Sequence, residues 1–384
     1  MKILLISDTV FDQNGVSRFI QDMASEAKKN DKDFHVLTSS PLHLDNLSDN
    51  IINMKPLYSR TMPFYPELFV AFPRIDPFLR KIKEFNPDIL HISTPGPVGM
   101  LALYASYKYK IPFASTYHTD FPSYLVKNLK NKFAGRVCES LMRFFYKKAE
   151  LVISRSSAYL QIIEEDIKID KEKIYELKAG TDIDKFNPSH KNDSIWEDYG
   201  IDKDSVKMLY VGRLSIEKNF QWLLRLYEKN KSYFNENNIT FVVVGHGKIL
   251  KKTAKMKEMN VHMLGIRHVP ELSCIYASSD FFITPSVTET LGQVVLEAMA
   301  SGLPCIVTNE GGPAKLVNAD SENGFVLEPL NEELWLDSIK SLVNSQELRV
   351  KMGERSFNYI QNFSISVTFE SFWKVHEEMY KKSH

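Results

Sequence analysis

The sequence predicts an α/β fold built from two doubly wound, Rossmann-like domains. Short apolar runs that suit buried parallel strands alternate with longer amphipathic segments that suit helices. This alternation stops in a polar segment from His190 to Asp204 and starts again at Met208. The chain of 384 residues is also longer than one hydrophobic core usually organises. We therefore expect a first domain at 1–189, a second at 200–365 and a final helix at 366–384.

Composition and charge indicate a globular protein without a dedicated nucleic-acid surface. Lys and Arg together number 48, as do Asp and Glu, and this balance argues against a nucleic-acid binder. Cys138, Cys274 and Cys305 lie in apolar segments without metal-ligand spacing. They predict packed thiols in a reducing compartment and no metal site. No run approaches the roughly 20 apolar residues of a membrane span, so we expect a cytoplasmic protein with at most peripheral membrane contact.

The first predicted unit is a strand, a glycine loop and a helix. Lys2–Ile6 suits a buried strand, and a helix is expected from about Arg18. The loop between them carries Gly15 but lacks the G-x-G-x-x-G fingerprint of dinucleotide-binding proteins. Gly15 would let backbone amides approach an anion closely, or it could simply form a turn.

Further strands of the first domain are interrupted by a stretch rich in aromatic residues and proline. The predicted strands are Phe34–Thr38, Ile51–Met54, Ile89–Ile92, Phe113–Thr116, Leu151–Ser154 and Ile174–Leu177. Between 58 and 72, Phe64 and Tyr65 lie among further aromatic residues and prolines. Because a proline-broken loop has difficulty burying so many aromatic rings, we predict contact with an acceptor or a membrane, with core packing as the alternative.

His118 follows a predicted strand of the first domain. The carboxyl ends of parallel strands are where open α/β sheets bind ligands. A hydrogen bond from this imidazole to a sugar hydroxyl suits that position, although a lone histidine is more often a packed or surface residue.

Two cations open the second domain. Arg213 and Lys218 lie between a strand at Met208–Val211 and a helix expected from about Phe220. They suit a diphosphate, because charge-assisted hydrogen bonds are strong and a diphosphate gains negative charge as it departs. Two solvated cations are the alternative.

The other strands predicted in the second domain are Phe241–Val244, Val261–Leu264, Phe281–Thr284, Pro304–Thr308 and Gly324–Leu327.

A carboxylate pair stands within the stretch Phe281–Gly312. Glu289 precedes a predicted helix at Gly292–Ala300, and Glu297 lies inside it. Eight helical steps would separate them by about 12 Å, more than the roughly 5 to 9.5 Å of a glycosidase pair. The two carboxylates would instead hold the ends of an extended ligand, such as a nucleotide sugar. Free amides at Thr290, Leu291 and Gly292 would receive its diphosphate. Two solvated helix carboxylates are the alternative.

Several segments resemble the retaining glycosyltransferases of family 4, which have the GT-B fold. The stretch Phe281–Gly312 resembles their signature, and LKAGTDIDKFNPS at 177–189 resembles their interdomain segment. HISTPGPVG at 91–99 and YHTDFPSYL at 117–125 resemble the branch of sulfoquinovosyl diacylglycerol synthases and bacterial lipid mannosyltransferases. His246 departs from the acidic residue usual in the family, and we assign it no role.

The resemblance implies both a fold and a reaction. Two domains would face a cleft, and the last helix would cross back to the first domain. The reaction would be metal-independent hexosyl transfer, with retention, from a UDP- or GDP-sugar to an acceptor, without a cofactor. The implied roles are sugar binding by Glu289 and His118, ribose binding by Glu297, diphosphate binding by Arg213 and Lys218, and contact with the diphosphate and the acceptor at Gly15. The alternatives are a GT-B epimerase or phosphorylase and a non-catalytic glycolipid-binding module.

A basic segment at 127–148 predicts membrane contact. Seven cations stand against one acid, Glu139; the cations are Lys127, Lys130, Lys132, Arg136, Arg143, Lys147 and Lys148. An apolar stripe recurs every four residues at Leu129, Phe133, Val137 and Leu141. Such a helix suits an anionic interface, where each Lys or Arg contributes about 1 kcal/mol; packing of the stripe on the sheet is the alternative. With the resemblance, this predicts a lipid or glycolipid acceptor and peripheral association with the inner face of the cell membrane.

Overall fold

The computed structural model describes residues 1–12, 14–43, 48–62, 65–122, 132–178, 180–247, 259–287, 289, 291–317 and 322–383. The chain divides into two compact units. One comprises Met1–Ala179 and Ile365–His384, and the other comprises Gly180–Ser364. Each unit is built on a parallel sheet that is covered by helices.

The first unit contains a parallel sheet and a separate hairpin. Its strands are β1 Ile3–Ile6, β2 Phe34–Thr38, β3 Ile51–Asn53, β4 Tyr58–Met62, β5 Tyr65–Phe72, β6 Ile89–Ile92, β7 Phe113–Tyr117, β8 Leu151–Ser154 and β9 Ile174–Glu176. The sheet order is β3-β2-β1-β6-β7-β8-β9, and its pairs are parallel. Residues on both faces of β1, β6 and β8 are buried, which explains their continuous apolar runs.

Helices cover both faces of this sheet. They are α1 Gly15–Lys29, α2 Ile75–Phe85, α3 Pro97–Tyr109, α4 Lys132–Tyr146, α5 Ala158–Gln161 with a π-helical continuation at Ile162–Asp166, and the C-terminal helix Ile365–Ser383; Lys171–Lys173 is a 3₁₀ turn. Phe19 of α1 and Phe372 of the C-terminal helix share one buried cluster on one face. Phe145 of α4 belongs to a second cluster, formed with α2 and α3. The C-terminal helix thus returns to the first unit, which confirms that part of the predicted fold.

A buried histidine pair links the C-terminal helix to the sheet. His376 donates from Nδ1 to the carbonyl of Phe372 at 2.7 Å, so its Nε2 accepts a hydrogen bond from Nδ1 of His91 at 2.9 Å. The remaining nitrogen of His91 accepts from Oγ1 of Thr116 at 3.0 Å. Burial lowers the pKa of His376 to about 4 and lowers the pKa of His91 well below its usual value. Both rings are therefore neutral at pH 7, and all four ring nitrogens are hydrogen-bonded.

The aromatic stretch at 58–72 forms a hairpin rather than the loop that its prolines predict. Strands β4 and β5 pair antiparallel, with Tyr58 opposite Phe72. A two-stranded ribbon leaves one side of each strand unpaired, so it tolerates the missing N–H of Pro66. Tyr58 and Phe72 are exposed, whereas Ala71 is buried.

The second unit has a parallel sheet of its own. Its strands are β10 Val206–Val211, β11 Ile239–Val244, β12 Val261–Gly265, β13 Phe281–Thr284, β14 Cys305–Thr308 and β15 Gly324–Leu327, in the order β12-β11-β10-β13-β14-β15. Its helices are α6 Ile195–Asp198, α7 Phe220–Lys229, α8 Lys231–Glu236, α9 Glu271–Ala277, α10 Gln293–Ala300, α11 Pro313–Leu316, α12 Glu332–Asn344 and α13 Gln346–Ile360, with 3₁₀ turns at Pro188–His190, Ile216–Lys218 and Gln361–Phe363. The C-terminal helix is therefore α14.

The segment 180–204 belongs to the second unit, whereas the sequence predicts a first domain that extends to 189 and a linker after it. The backbone N–H of Thr181 donates to the carbonyl of Phe363 at 2.9 Å. Trp196 is fully buried and donates from its indole nitrogen to the carbonyl of Ser278 at 3.1 Å. The polar composition of the segment suggests a linker, but one buried tryptophan anchors it.

Candidate active site

Two loops of the second unit meet where its sheet order reverses. Lys218 follows β10, Glu289 follows β13, and these two strands are neighbours. Nζ of Lys218 lies 2.6 Å from Oε1 of Glu289, with 12% and 24% of the two side chains exposed. Asn219 also joins the loops, because its amide donates to the carbonyl of Pro285 at 3.0 Å. A crevice at such a reversal is the usual ligand site of an open α/β sheet.

The loop after β10 is held by the loop after β11. The hydroxyl of Tyr210 donates to the carbonyl of Arg213 at 2.9 Å, and the N–H of Leu214 donates to the carbonyl of His246 at 3.0 Å. Gly245 has φ 137°, and a Cβ there would lie 1.9 Å from the carbonyl oxygen of Gly212. His246 thus supports this loop through its backbone.

Arg213 has a carboxylate partner of its own. Its Nη2 lies 2.8 Å from Oε1 of Glu217, and about a third of each side chain is exposed. The two predicted diphosphate-binding cations, Arg213 and Lys218, are therefore each paired with a glutamate. An anionic ligand that binds them must compete with these carboxylates.

A glycine turn positions Glu289 and the start of α10. The N–H of Gly312 donates to the carbonyl of Glu289 at 2.9 Å, and a Cβ at Gly311 would lie 2.3 Å from that oxygen. Gly292 has φ 79°, and a Cβ there would lie 2.9 Å from Cγ of Pro313. Leu291 is half-buried beside Gly292, whereas Thr290 lies outside the described residues.

Glu297 occupies a different environment. It lies within α10 with 6% of its surface exposed. The hydroxyl of Tyr276, in α9, donates to its Oε2 at 3.1 Å. The structure thus pairs Lys218 with Glu289, and it holds Glu297 through Tyr276.

A second polar group lies at the carboxyl edge of the first sheet. Ser93, His118 and Arg155 directly follow β6, β7 and β8, which are adjacent strands. Oγ of Ser93 lies 2.8 Å from Nε2 of His118. Burial, followed by the charge of Arg155, lowers the pKa of His118 to about 3. His118 is therefore a neutral hydrogen-bonding group at pH 7.

Asp8 organises the loop that carries Ser93, a role that the sequence analysis missed. Its carboxylate accepts hydrogen bonds from the N–H of Val98 at 2.7 Å and from the hydroxyl of Thr94 at 2.7 Å. A third bond, at 3.0 Å, comes from the N–H of Gly96. Asp8 thus caps α3, and burial raises its pKa. The sequence signal for this role was the position of Asp8 just after β1, at the carboxyl end of a predicted parallel strand.

Gly15 begins α1 next to its capping residue, Asn14. Oδ1 of Asn14 accepts from the N–H groups of Val16 at 3.0 Å and Ser17 at 2.9 Å. A Cβ at Gly15 would meet no atom within 4 Å. Internal packing therefore does not require this glycine, and the space beside it is open to a ligand.

The predicted apolar stripe of the basic segment is exposed on α4. Phe133, Val137 and Leu141 have 73%, 44% and 60% of their surfaces exposed, so packing of the stripe on the sheet is the wrong alternative for these residues. Leu129 lies outside the described residues. Phe144, which was not part of the predicted stripe, is also 52% exposed. Arg136 is exposed on the same helix.

Other residues predicted for the membrane or the acceptor are not described. Lys127, Lys130 and Phe64 lie outside the described residues, and so do the side chains of Lys132 and Tyr65. No helix in the described ranges is long and apolar enough to cross a membrane.

Family comparisons agree with this arrangement. One family model, described as Glycosyltransferase Family 4, matches residues 13–185. A second, described as Glycosyl transferases group 1, matches residues 191–359. The two matches cover most of the chain, and the chain belongs to the glycosyltransferases of GT-B type.

Several relatives are similar over much of the chain. The sulfoquinovosyl transferase SQD2 of Arabidopsis thaliana is 28% identical over 297 residues, 76% of this chain and 57% of that protein. The alpha-monoglucosyldiacylglycerol synthase of Streptococcus pneumoniae is 28% identical, and the match covers 80% of this chain and 70% of that protein. A GDP-mannose-dependent alpha-mannosyltransferase of Mycobacterium tuberculosis is 24% identical, with 93% and 92% covered. The chain thus spans little more than half of the plant relative.

Solved structures share the fold. The sucrose-phosphate synthase of Thermosynechococcus elongatus superposes with a TM-score of 0.75 at 15% identity, with both chains fully covered. Anabaena HepE, in complex with UDP and glucose, gives a TM-score of 0.74 at 18% identity, with 98% and 99% covered. These matches confirm the predicted GT-B fold.

Proposed function

We propose that this glycosyltransferase moves a hexosyl group from a UDP- or GDP-sugar to a lipid or glycolipid acceptor at a membrane surface. The observation that carries the proposal is the Lys218–Glu289 pair at the reversal of the second sheet. The names of two relatives support the choice of substrates, since one includes GDP-mannose and the other diacylglycerol.

The donor would bind by exchanging ion-pair partners. The diphosphate takes the place of Glu289 at Lys218 and of Glu217 at Arg213, because two negative charges in a partly buried crevice attract these cations more strongly than one carboxylate does. The released Glu289 carboxylate accepts hydrogen bonds from the sugar hydroxyls. Glu297 accepts hydrogen bonds from the ribose.

The transfer step proceeds with retention and without a metal. The bond between the anomeric carbon and the diphosphate oxygen breaks, and the acceptor oxygen forms a bond on the same face of the sugar. The acceptor proton passes to the departing diphosphate oxygen. Lys218 and Arg213 stabilise the negative charge that develops on this leaving group. Neutral His118 donates or accepts a hydrogen bond at a sugar hydroxyl, and the open space at Gly15 admits the acceptor.

Helix α4 would bring the enzyme to its lipid acceptor. Four exposed apolar side chains and the neighbouring cations suit a helix that lies in an anionic interface. Liposome flotation tests this prediction. Binding should require anionic lipid, should weaken as salt shortens the Debye length, and should fall when Lys130, Lys132 and Arg136 become Glu. Efficient transfer to a water-soluble acceptor by protein that stays unbound at low salt would contradict it.

The enzymatic proposal is tested by nucleotide release. The protein is incubated with UDP- and GDP-hexoses, first alone and then with lipid extracts, and the products are analysed for released nucleotide and glycosylated lipid. Lipid-dependent release is expected for one donor class. Sugar phosphate formed from inorganic phosphate would indicate a phosphorylase, epimerised sugar would indicate an epimerase, and the absence of turnover with every donor would favour a binding module.

A further inference from the structure

Arg155 is a partly buried cation at the carboxyl edge of the first sheet, and among the described residues no carboxylate forms an ion pair with it. Its guanidinium carbon lies 4.1 Å from the centroid of the Phe19 ring. The same ring meets the imidazole of His118 edge to face, with centroids 6.0 Å apart. Arg155 therefore lies beside the group formed by Ser93 and His118, where open sheets bind ligands.

The hydrogen-bonding capacity of this guanidinium is not satisfied. Nε of Arg155 is buried and has no hydrogen-bond partner, and within the described ranges no carboxylate forms an ion pair with Arg155. Asp22 acts on it electrostatically, but Asp22 also forms an ion pair with Nε of Arg18 at 3.3 Å. Stacking on Phe19 satisfies none of the N–H groups. A buried donor of a charged group without an acceptor is costly and calls for an explanation.

An anionic ligand would supply the missing acceptor. The planar guanidinium matches the oxygens of a phosphate ester, with which it forms paired, charge-assisted hydrogen bonds. His118 is neutral, so Arg155 supplies the positive charge of this group. In the proposed function the donor diphosphate is held by Arg213 and Lys218 of the second unit, which leaves Arg155 for another anion.

We propose that Arg155 binds a phosphate ester of the acceptor, so that the enzyme prefers a phosphate-bearing lipid to a neutral diacylglycerol. This inference rests on the proposed function and names the acceptor class. It also identifies Arg155 as a residue that determines specificity.

The test compares two acceptors in one membrane. Vesicles contain a fixed, large fraction of an ionised fatty acid, which keeps the membrane anionic without a phosphate ester, and a small amount of either diacylglycerol or phosphatidylglycerol with the same chains. The wild type should show a higher kcat/KM for phosphatidylglycerol. In Arg155→Gln the ratio of the two kcat/KM values should fall at least about 10-fold, since a charged hydrogen bond is lost. Arg155→Lys should retain more of the ratio because it keeps the charge.

The ratio separates recognition from folding, because a loss of folded enzyme lowers both activities equally. Arg80→Gln removes an exposed arginine from α2 in the same unit and should leave the ratio unchanged. A wild type that prefers diacylglycerol, or an unchanged ratio in Arg155→Gln, would overturn the inference.

A binding measurement tests Arg155 without turnover. Inorganic phosphate should raise the Tm of the wild type and of Arg80→Gln by equal amounts and that of Arg155→Gln by less, because the cations of the second unit remain in every variant; an equal rise in all three would contradict an anion site at Arg155. If phosphate binds but phosphatidylglycerol is not preferred, the site takes free phosphate and the acceptor assignment is wrong. Absence of turnover with every donor would count against the proposed function, while the phosphate result would still decide the anion site.

Discussion

In the crevice of the second unit, Lys218 and Arg213 each lie within 2.8 Å of a glutamate oxygen. At the edge of the first sheet, Arg155 has no carboxylate partner among the described residues, and the neighbouring His118 is neutral. Both groups follow parallel strands at the carboxyl edge of a sheet. They differ in whether their cations form ion pairs with carboxylates. A site with paired cations must release a carboxylate before it binds an anion, whereas a site with an unpaired cation can bind one directly. The comparison predicts at which residues the removal of a charged side chain weakens the binding of an anionic ligand and at which it strengthens that binding.

The largest effect is expected when the cations of the crevice are removed. Lys218→Ala or Arg213→Ala should lower kcat/KM by at least about 100-fold, because the leaving diphosphate loses an electrostatic partner in the transition state. The fall in kcat/KM is measured by steady-state kinetics, with the donor that the nucleotide-release experiment identifies. Lys229→Ala is the matched control, since Lys229 pairs with Glu332 at 2.8 Å on the exposed surface of the same unit. Equal losses in Lys218→Ala and Lys229→Ala would argue against a diphosphate at Lys218.

A smaller effect is expected at the edge of the first sheet. His118→Ala should lower the rate of sugar transfer roughly 10-fold, the effect of one lost hydrogen bond to substrate. It should leave the affinity for free UDP or GDP unchanged, because the proposed contact is with the sugar. Calorimetry with the free nucleotide and initial-rate measurements together separate the two effects. Weakened nucleotide binding in this variant would place His118 elsewhere.

Acid should destabilise the first unit through its buried histidine pair. The folded-state pKa values of His91 and His376 lie below the unfolded value, so the unfolded chain binds more protons as the pH falls. The contribution of His376 is fully present above about pH 6.5 and is lost between about pH 6.5 and 4, at roughly 1.4 kcal/mol per pH unit. His91, whose pKa is also lowered, adds a loss of the same sign. Denaturant unfolding from pH 7 to 5 measures this slope. His376→Asn should flatten it, whereas exposed His190→Asn should not; equal slopes in all three proteins would contradict this account.

The sequence predicts those parts of the molecule whose signals are local. Strands β8 and β13 are predicted at their observed bounds, because strands buried on both faces are apolar throughout. The placement of Lys218 and Glu289 near each other follows from the ends of two strands, which the parallel sheet brings to one edge.

Other features depend on contacts between distant parts of the chain. Asp8 caps a helix about 90 residues away, at Val98. The position of Arg155 depends on stacking on Phe19, which lies far from it in the sequence. The packing of 180–204 depends on Trp196, whose partner Ser278 is remote in sequence. The hairpin β4–β5 was not predicted, because its prolines indicated an irregular loop. Neither hydrophobic period nor a short motif encodes such contacts.

The two glutamates of the second unit sharpen the comparison. The exchange of ion-pair partners requires that Glu289 compete with the diphosphate for Lys218, whereas Glu297 would bind the ribose directly. Glu289→Gln and Glu297→Gln remove one negative charge each and change the shape of the side chain very little. Their effects on nucleotide affinity should therefore have opposite signs.

Calorimetric titration of the two variants with free UDP or GDP tests this exchange most directly. Glu289→Gln should bind the nucleotide several-fold more tightly than the wild type, because no ion pair needs to break and a repulsive charge is gone. Glu297→Gln should bind it roughly 10-fold or more weakly, because hydrogen bonds to a charged acceptor are lost. Weaker binding of the nucleotide by Glu289→Gln would contradict the account, because it would show that the carboxylate supports the diphosphate rather than competing with it.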